Sequence, residues 1–336
     1  MFKYQLSIIS FTINGEILSR QIKKILDEKY KNCDTKTYSV KSECMESIYV
    51  NDTKAWTKEQ FEKKNVIVFI GACGIAVRMI SPYVKDKLTD SPVLVIDEAG
   101  KFVIPVLSGH LGGANEAADC ISESIGAIPV ITTATDVNGK LAIDMFAKNH
   151  DLSISNRDGI AKISSKVLEN KKITFSIADE YKEKVDVSIT ADQHNESLLT
   201  LIPKEYVIGI GCKKGKKSAE LEEFINKRLR EENISWKQIK AIATIDIKKN
   251  EKAILELVRK NNTDFVTYTS DELMSVKGEF SSSDFVKKKT GTDNVCERAA
   301  LAYCGIGGKL ISKKSILNGM TMAIAKKEWR LTIYEE

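Results

Sequence analysis

Along this chain, an apolar run of strand length repeatedly ends in a glycine or small-polar turn and passes directly into a helical pattern. Four such junctions stand out: Gly71-Ala-Cys-Gly74 after NVIVFI, Ser108-Gly-His-Leu-Gly-Gly113 after FVIPVL, Thr132-Thr-Ala-Thr-Asp136 after AIPVI, and Gly209-Ile-Gly-Cys-Lys-Lys-Gly215 after EYVI. NVIVFIGACGIAVRMI (65–80) reads as a buried strand, a turn and a helix halted by Pro82. The same alternation opens the chain. QLSIISFTI reads as a strand, Asn14-Gly15 as its turn, and Ile17, Leu18, Ile22, Ile25 and Leu26 as one helical stripe within residues 17–30. PVLVIDEAGKFVIPVLSG (92–109) reads as two strands about a turn at Asp97–Gly100, a hairpin of the longer-loop kind. HLGGANEAADCISESIG (110–126) and AIPVITTATD (127–136) follow as a turn with its helix and a further strand. Alternation of this kind specifies α/β layers.

Residues 137–203 differ in texture: short runs such as KITFSIAD and DVSIT sit among polar stretches with weak periodicity. The strand EYVIGIGC (205–212), followed by a helix with Ser218 as its N-cap, marks a restart, and β/α alternation then continues to the end. The expected fold is therefore two α/β domains, 1–136 and 204–336, flanking a smaller middle region, 137–203, with a ligand cleft between domains. Strand C-termini in open α/β sheets are where ligands bind, and a following helix supplies free N–H groups that favour anions.

Composition removes several classes. With 43% hydrophobic and 29% charged residues, the chain has material for a real core, and no apolar run approaches the length of a membrane span. The start lacks a basic leader and a cleavage site, and seven scattered cysteines form no Cys-x-x-Cys pair, so reduced thiols in the cytoplasm are expected. Histidines 110, 150 and 194 are too widely spaced for a local zinc signature, so no protein-held metal is expected. The formal charge of +5 is mild, and the lysine clusters lack interleaved aromatics, which argues against nucleic acid and leaves them as solvated surface or the mouth of a site for a small polyanion. Nucleotide fingerprints fail as well. Gly209, Gly211 and Gly215 are spaced one residue too long for the dinucleotide motif, and Ile210 and Lys217 break the P-loop pattern.

The densest chemistry lies in Ser108-Gly-His-Leu-Gly-Gly-Ala-Asn-Glu116. His110 can act as a base toward water, with Glu116 assisting, and N–H groups at Gly112 and Gly113 can receive an oxyanion. This suits hydrolysis of an activated carbonyl. The plainer alternative makes His110 a structural hydrogen-bonding residue and Glu116 a helix-dipole partner. Ser108 does not sit in a nucleophile elbow. In the C-terminal domain, Asn294 with Glu297 fits a capping-box-like helix start, with Glu297 facing a ligand as the other reading. Cys212 and Cys296 have no local activating base and read as small buried residues.

The run GACGIAVRMISPYVKDKLTDSPVLVIDEAGKFVIPVLSGHLGGANEAA (71–118) strongly resembles the N-terminal signature of the cobalt-precorrin-5A hydrolases of anaerobic cobalamin biosynthesis. IGIGCKKGKK, IATIDIKKNE, GTDNVCERAAL and GMTMAIAKK look like the companion domain of the same enzymes, in the same order, whereas 137–203 carries little signature. The resemblance implies opening of the δ-lactone of a cobalt-corrinoid intermediate with loss of a two-carbon fragment as acetaldehyde, giving cobalt-precorrin-5B. It implies no cofactor, since cobalt arrives chelated by the substrate, and no membrane or nucleic-acid partner. On this reading His110 and Glu116 are the catalytic pair. Gly71, Gly74, Arg78, Gly112, Gly113 and Asn115 bind substrate, together with Gly209, Gly211 and Glu297 across an interdomain cleft; Arg78 and Lys85 also fit surface ion pairs. A non-catalytic corrinoid-binding protein or complex subunit is the alternative from another class, and a nucleotide-binding protein ranks below it.

Overall fold

The computed structural model describes residues 5–30, 34–43, 46–86, 89–177, 185–191 and 196–331. Cys33, Cys44 and His194 lie outside them. The chain divides into two compact units, Met1–Met145 and Phe146–Glu336. In the first, β1 (Leu6–Ser10), α1 (Ile13–Lys29), β2 (Thr35–Ser39), β3 (Ile48–Tyr49), α2 (Thr53–Lys63), β4 (Val66–Ile70) and α3 (Cys73–Ile80) are followed by β5 (Val93–Ile96), β6 (Phe102–Leu107), α4 (Ala114–Ile125), β7 (Ile128–Pro129) and α5 (Ala134–Val137). Helix α6 (Ile143–Asn149) runs from this unit into the next. The strands form one sheet of order β3-β2-β1-β4-β5-β6-β7.

Cover on both faces explains why β4 and β5 are apolar throughout, and why β1 is buried at every position, its Ser7 and Ser10 included. Leu6, Ile8, Val66, Val68, Ile70, Leu94 and Ile96 pack with Ile22, Leu26 and the alanines of α4 on one face. Ile9, Ile67, Phe69, Val93 and Val95 pack with Trp56, Ala76 and Ile80 on the other. Helix α1 begins earlier than its hydrophobic stripe indicates. Thr12 caps it by accepting from Gly15 N at 3.0 Å, so Asn14-Gly15 is its first turn and not a separate turn before it. Helix α3 ends at Ile80, just ahead of Pro82.

One reversal organises this unit. Strands β1, β2, β3, β4 and β5 run parallel, but the turn at Asp97–Gly100 makes β6 antiparallel to β5, pairing Val93 with Leu107 and Ile96 with Val103. Strand β7 then follows β6 in parallel. The segments leaving β6 and β7 therefore emerge at the edge where β4 and β5 begin.

In the second unit, β8 (Leu152–Ile154), α7 (Arg157–Leu168), β9 (Phe175–Ile177), β10 (Val187–Ile189) and β11 (Leu199–Pro203) form a sheet of order β8-β11-β10-β9. The weakly patterned middle of the sequence thus folds as a small sheet whose strands are three to five residues long, each with a Ser or Thr among its apolar residues. Next come β12 (Tyr206–Cys212), α8 (Ser218–Glu231), β13 (Ile239–Ile245), α9 (Lys252–Asn261), β14 (Asp264–Tyr268), α10 (Ser270–Ser275), α11 (Asp284–Thr290), α12 (Val295–Cys304), β15 (Lys309–Leu317) and β16 (Met320–Lys326). Their sheet order is β14-β13-β12-β16-β15. Lys217, not Ser218, holds the cap position of α8. Lys240 at the start of β13 joins the two sheets, its ammonium 2.5 Å from Asp151 and 3.0 Å from Asp264.

Candidate active site around His110

The glycines of the Ser108–Gly113 loop have separate mechanical reasons. Ser108 adopts a left-handed φ of 56°, and a Cβ on Gly112 would lie 2.4 Å from the Ser108 Cβ. A Cβ on Gly109 would lie 2.6 Å from Asn115 Oδ1, so the bare Cα at 109 makes room for the Asn115 side chain. The loop consumes its own donors: Gly113 N donates to His110 O, Ala114 N to Ser108 O and Asn115 N to Gly109 O, all within 3.1 Å. This corrects the expectation that Gly113 offers an oxyanion donor, because its N–H is used inside the turn.

What the loop does present is His110. Its Nε2 is 2.8 Å from Asp136 Oδ2 and 3.3 Å from Thr135 Oγ1, and its Nδ1 is 3.4 Å from Asp144 Oδ2. The neutral ring has one N–H to give; donation to both carboxylates together takes the imidazolium. Asn115 Nδ2 donates to the same Asp136 Oδ2 at 2.6 Å and lies 3.2 Å from Thr133 Oγ1. Asp119, one turn further along α4, has its carboxyl pushed above the usual carboxylate range by burial and then by the charge of Asp136. The His110 side chain is 14% exposed, that of Asp144 14% and that of Asp136 37%. Glu116 is itself exposed in the first turn of α4, and the carboxylates set against His110 are Asp136 and Asp144. Asp136 was visible as the last residue of the Thr132–Asp136 turn; Asp144 belongs to no motif.

The remaining sequence-selected residues do not join this cluster. Gly71 and Gly74 lie where β4 ends, beside the Asp97–Gly100 turn, with Thr12 donating to Glu98 at 2.6 Å. His110 lies at the opposite edge, about 10 Å of strand away by the rise of β5. The start of α3 has no capping side chain, Gly74 faces open space, and Arg78 is exposed in the last turn. Lys85 is exposed on the His110 side of the sheet, where its backbone N–H donates to Asp90.

In the second unit, Gly209 and Gly211 fall inside β12 and not in a turn after it. A Cβ on Gly209 would lie 1.8 Å from Cys296 O, so this glycine allows α12 to press its backbone onto the sheet. Gly211 pairs with Thr321, whose Oγ1 would meet a Cβ there at 2.6 Å. Glu297 is 1% exposed. It accepts from Ser281 N (2.9 Å), Ser281 Oγ (3.2 Å), Asn294 Nδ2 (2.6 Å) and Lys314 N (2.7 Å), while Asn294 caps α12 through Glu297 N. Glu297 is a buried tie between α12, the segment before α11 and β15, not a residue facing a ligand.

No group of three or more His, Cys, Asp or Glu side chains suited to a metal ion occurs among the described residues. No helix there is long and apolar enough to cross a membrane.

A multidomain α/β protein with a histidine braced by carboxylates and no nucleotide fingerprint has the equipment for acid–base chemistry on a small molecule. Comparison with known proteins narrows that class. Residues 55–136 match the family Cobalamin synthesis G N-terminal, and residues 206–325 match Cobalamin synthesis G C-terminus. The cobalt-precorrin-5A hydrolase of Priestia megaterium is 30% identical over 362 residues, covering 95% of this chain and 94% of its own. That of Salmonella typhimurium strain LT2 is 30% identical over 294 residues, covering 80% and 83%. A homolog of cobalamin biosynthesis protein G from Sulfolobus solfataricus has a crystal structure that covers 96% of this chain and 97% of its own at 25% identity, with a TM-score of 0.42. The chain belongs to the cobalt-precorrin-5A hydrolase family.

Proposed function

We infer that this protein is a cobalt-precorrin-5A hydrolase. The observation that carries the assignment is similarity running almost end to end to hydrolases of that name, with both family domains in order. The substrate is a cobalt corrinoid, and cobalt enters as part of it. Water adds to the δ-lactone carbonyl, the acyl C–O bond breaks, and the freed alcohol loses its proton as a C–C bond breaks. Acetaldehyde leaves, and the electron pair passes into the conjugated macrocycle, which takes up a proton to give cobalt-precorrin-5B.

Both stages are proton transfers coupled to carbonyl chemistry, and they place their demands on a positioned base. The His110, Asp136 and Asp144 cluster meets that demand without a resident cofactor. We place the reaction in the cytoplasm, where a mildly basic chain with unpaired cysteines is at home.

The test is anaerobic incubation of the purified protein with cobalt-precorrin-5A, following corrinoid mass and trapping the aldehyde. Loss of the two-carbon unit with acetaldehyde released is expected. Tight binding without conversion would overturn the hydrolase in favour of a corrinoid carrier.

A further inference from the structure

The sequence singles out His110 as the base, yet the geometry gives its ring no nitrogen with which to face water. Each nitrogen lies against a carboxylate oxygen, Nε2 at 2.8 Å from Asp136 and Nδ1 at 3.4 Å from Asp144. Thr135 Oγ1 takes up further space beside Nε2. Asp136 is differently placed. Its Oδ2 is held by two N–H donors, from His110 and Asn115, whereas its Oδ1 has no hydrogen-bond partner among the described residues. It is also the open member of the group, 37% exposed against 14% for both His110 and Asp144. A carboxylate with one oxygen pinned and the other free is oriented to receive a proton at a defined point.

We propose that Asp136 is the catalytic base of this site, and that His110 and Asn115 are positioning residues that fix its Oδ2 so that Oδ1 faces the reacting water. Asp144 stands behind His110 and holds the ring from its other nitrogen. This rests on the hydrolase reading and deepens it. In the first stage Asp136 Oδ1 takes a proton from water as the oxygen bonds to the lactone carbonyl. It returns that proton to the alkoxide released when the acyl C–O bond breaks. In the second stage the same oxygen takes the alcohol proton while the C–C bond breaks and acetaldehyde departs. One carboxylate thus serves both stages and is regenerated after the macrocycle is protonated.

The two assignments separate through Gln at 110, whose amide places an N–H near the position of imidazole Nε2 but cannot carry a proton. The full-length protein and the variants His110→Gln, His110→Ala and Asp136→Asn are compared in kcat and KM with cobalt-precorrin-5A, with circular dichroism as the check of folding. Asp136→Asn is expected to lose about 10²- to 10⁴-fold in kcat, the range for removing a general base, with KM changed less than about threefold. His110→Gln is expected to fall by no more than about tenfold, the size of one altered hydrogen bond, and to exceed His110→Ala clearly. A merely structural histidine would not give this recovery in kcat at constant KM. His110→Gln as inactive as Asp136→Asn, or Asp136→Asn turning over at the parent rate, would overturn the proposal. If Asp136→Asn does not fold, Asn115→Leu removes one donor from Oδ2 and leaves the carboxylate in place; it is expected to lower kcat with KM held, and an unchanged kcat would overturn the proposal. Failure of the parent protein to convert substrate bears instead on the hydrolase reading.

Discussion

Replacing Glu297 by Gln separates a structural carboxylate from a substrate-facing one. In the native chain Oε2 accepts from Ser281 N and Asn294 Nδ2, and Oε1 from Lys314 N and Ser281 Oγ. Glutamine keeps one oxygen and turns the other into a donor. The better orientation places the new NH₂ toward the Ser281 hydroxyl, which can rotate to accept, but the Lys314 N–H then meets a donor and stays buried without a partner. An unsatisfied buried N–H costs about 1–3 kcal/mol, and removing the charge from the surviving bonds costs roughly 1 kcal/mol more, giving about 2–4 kcal/mol. At about 2–4 °C per kcal/mol for a unit of this size, the unfolding midpoint of the second unit should fall by roughly 5–15 °C. Glu297→Ala removes the acceptor for every donor and should fall further. Thermal unfolding followed by circular dichroism gives the midpoint, and peptide-resolved hydrogen exchange should show lost protection at Ser281 and Lys314. An unchanged midpoint and exchange pattern, with a raised KM for the corrinoid, would refute the structural account and return Glu297 to a ligand-facing role.

Gly209→Ala should destabilise the same unit by about 1–3 kcal/mol or more, since the added methyl meets a backbone carbonyl that no rotamer change can move; an unaltered urea midpoint would contradict this. Gly74→Ala, at a helical position with open space and no positive φ, should leave turnover unchanged and raise the melting temperature slightly; a raised KM would place substrate at the Gly71 edge. Burial pushes the Asp186 carboxyl up, but the Lys166 ammonium at 2.6 Å and the Thr174 donors outweigh it, so its pKa lies below the usual carboxylate value. Its stabilisation is therefore present above the unfolded-state pKa of about 3.9 and is lost as pH falls through the depressed folded value. Melting curves from pH 7 to 3 should fall less steeply for Asp186→Asn than for the parent. Burial pushes the Cys296 and Cys304 thiols up to about 11, while Cys73 is exposed. A thiol-specific alkylating reagent at pH 8 should label Cys73 in the folded protein, and label Cys296 and Cys304 after denaturation.

Much of the layer structure was legible because parallel strands covered on both faces must be apolar throughout, as in β4 and β5, and because Pro82 closes its helix where the backbone requires it. The small sheet β8–β11 was less legible because strands of three to five residues cannot display a period. Gly209 and Gly211 misled for a chemical reason: glycine marks close backbone approach, and in β12 the approaching backbone belongs to α12, not to a ligand. The candidate site turns on strand direction. A helix-to-strand connection returns the chain for a parallel strand, whereas the four-residue turn at 97–100 admits only the antiparallel partner. That turn was legible, and its consequence is that everything leaving β6 emerges at the edge opposite Gly71. Gly71-Ala-Cys-Gly74 and Ser108–Gly113 look alike as glycine turns after strands, but a single hairpin between them prevents them from lining the same end of the sheet. Strand β7 then follows β6 in parallel and delivers Asp136 to His110, so the partner of the histidine is fixed by the hairpin and not by its own motif.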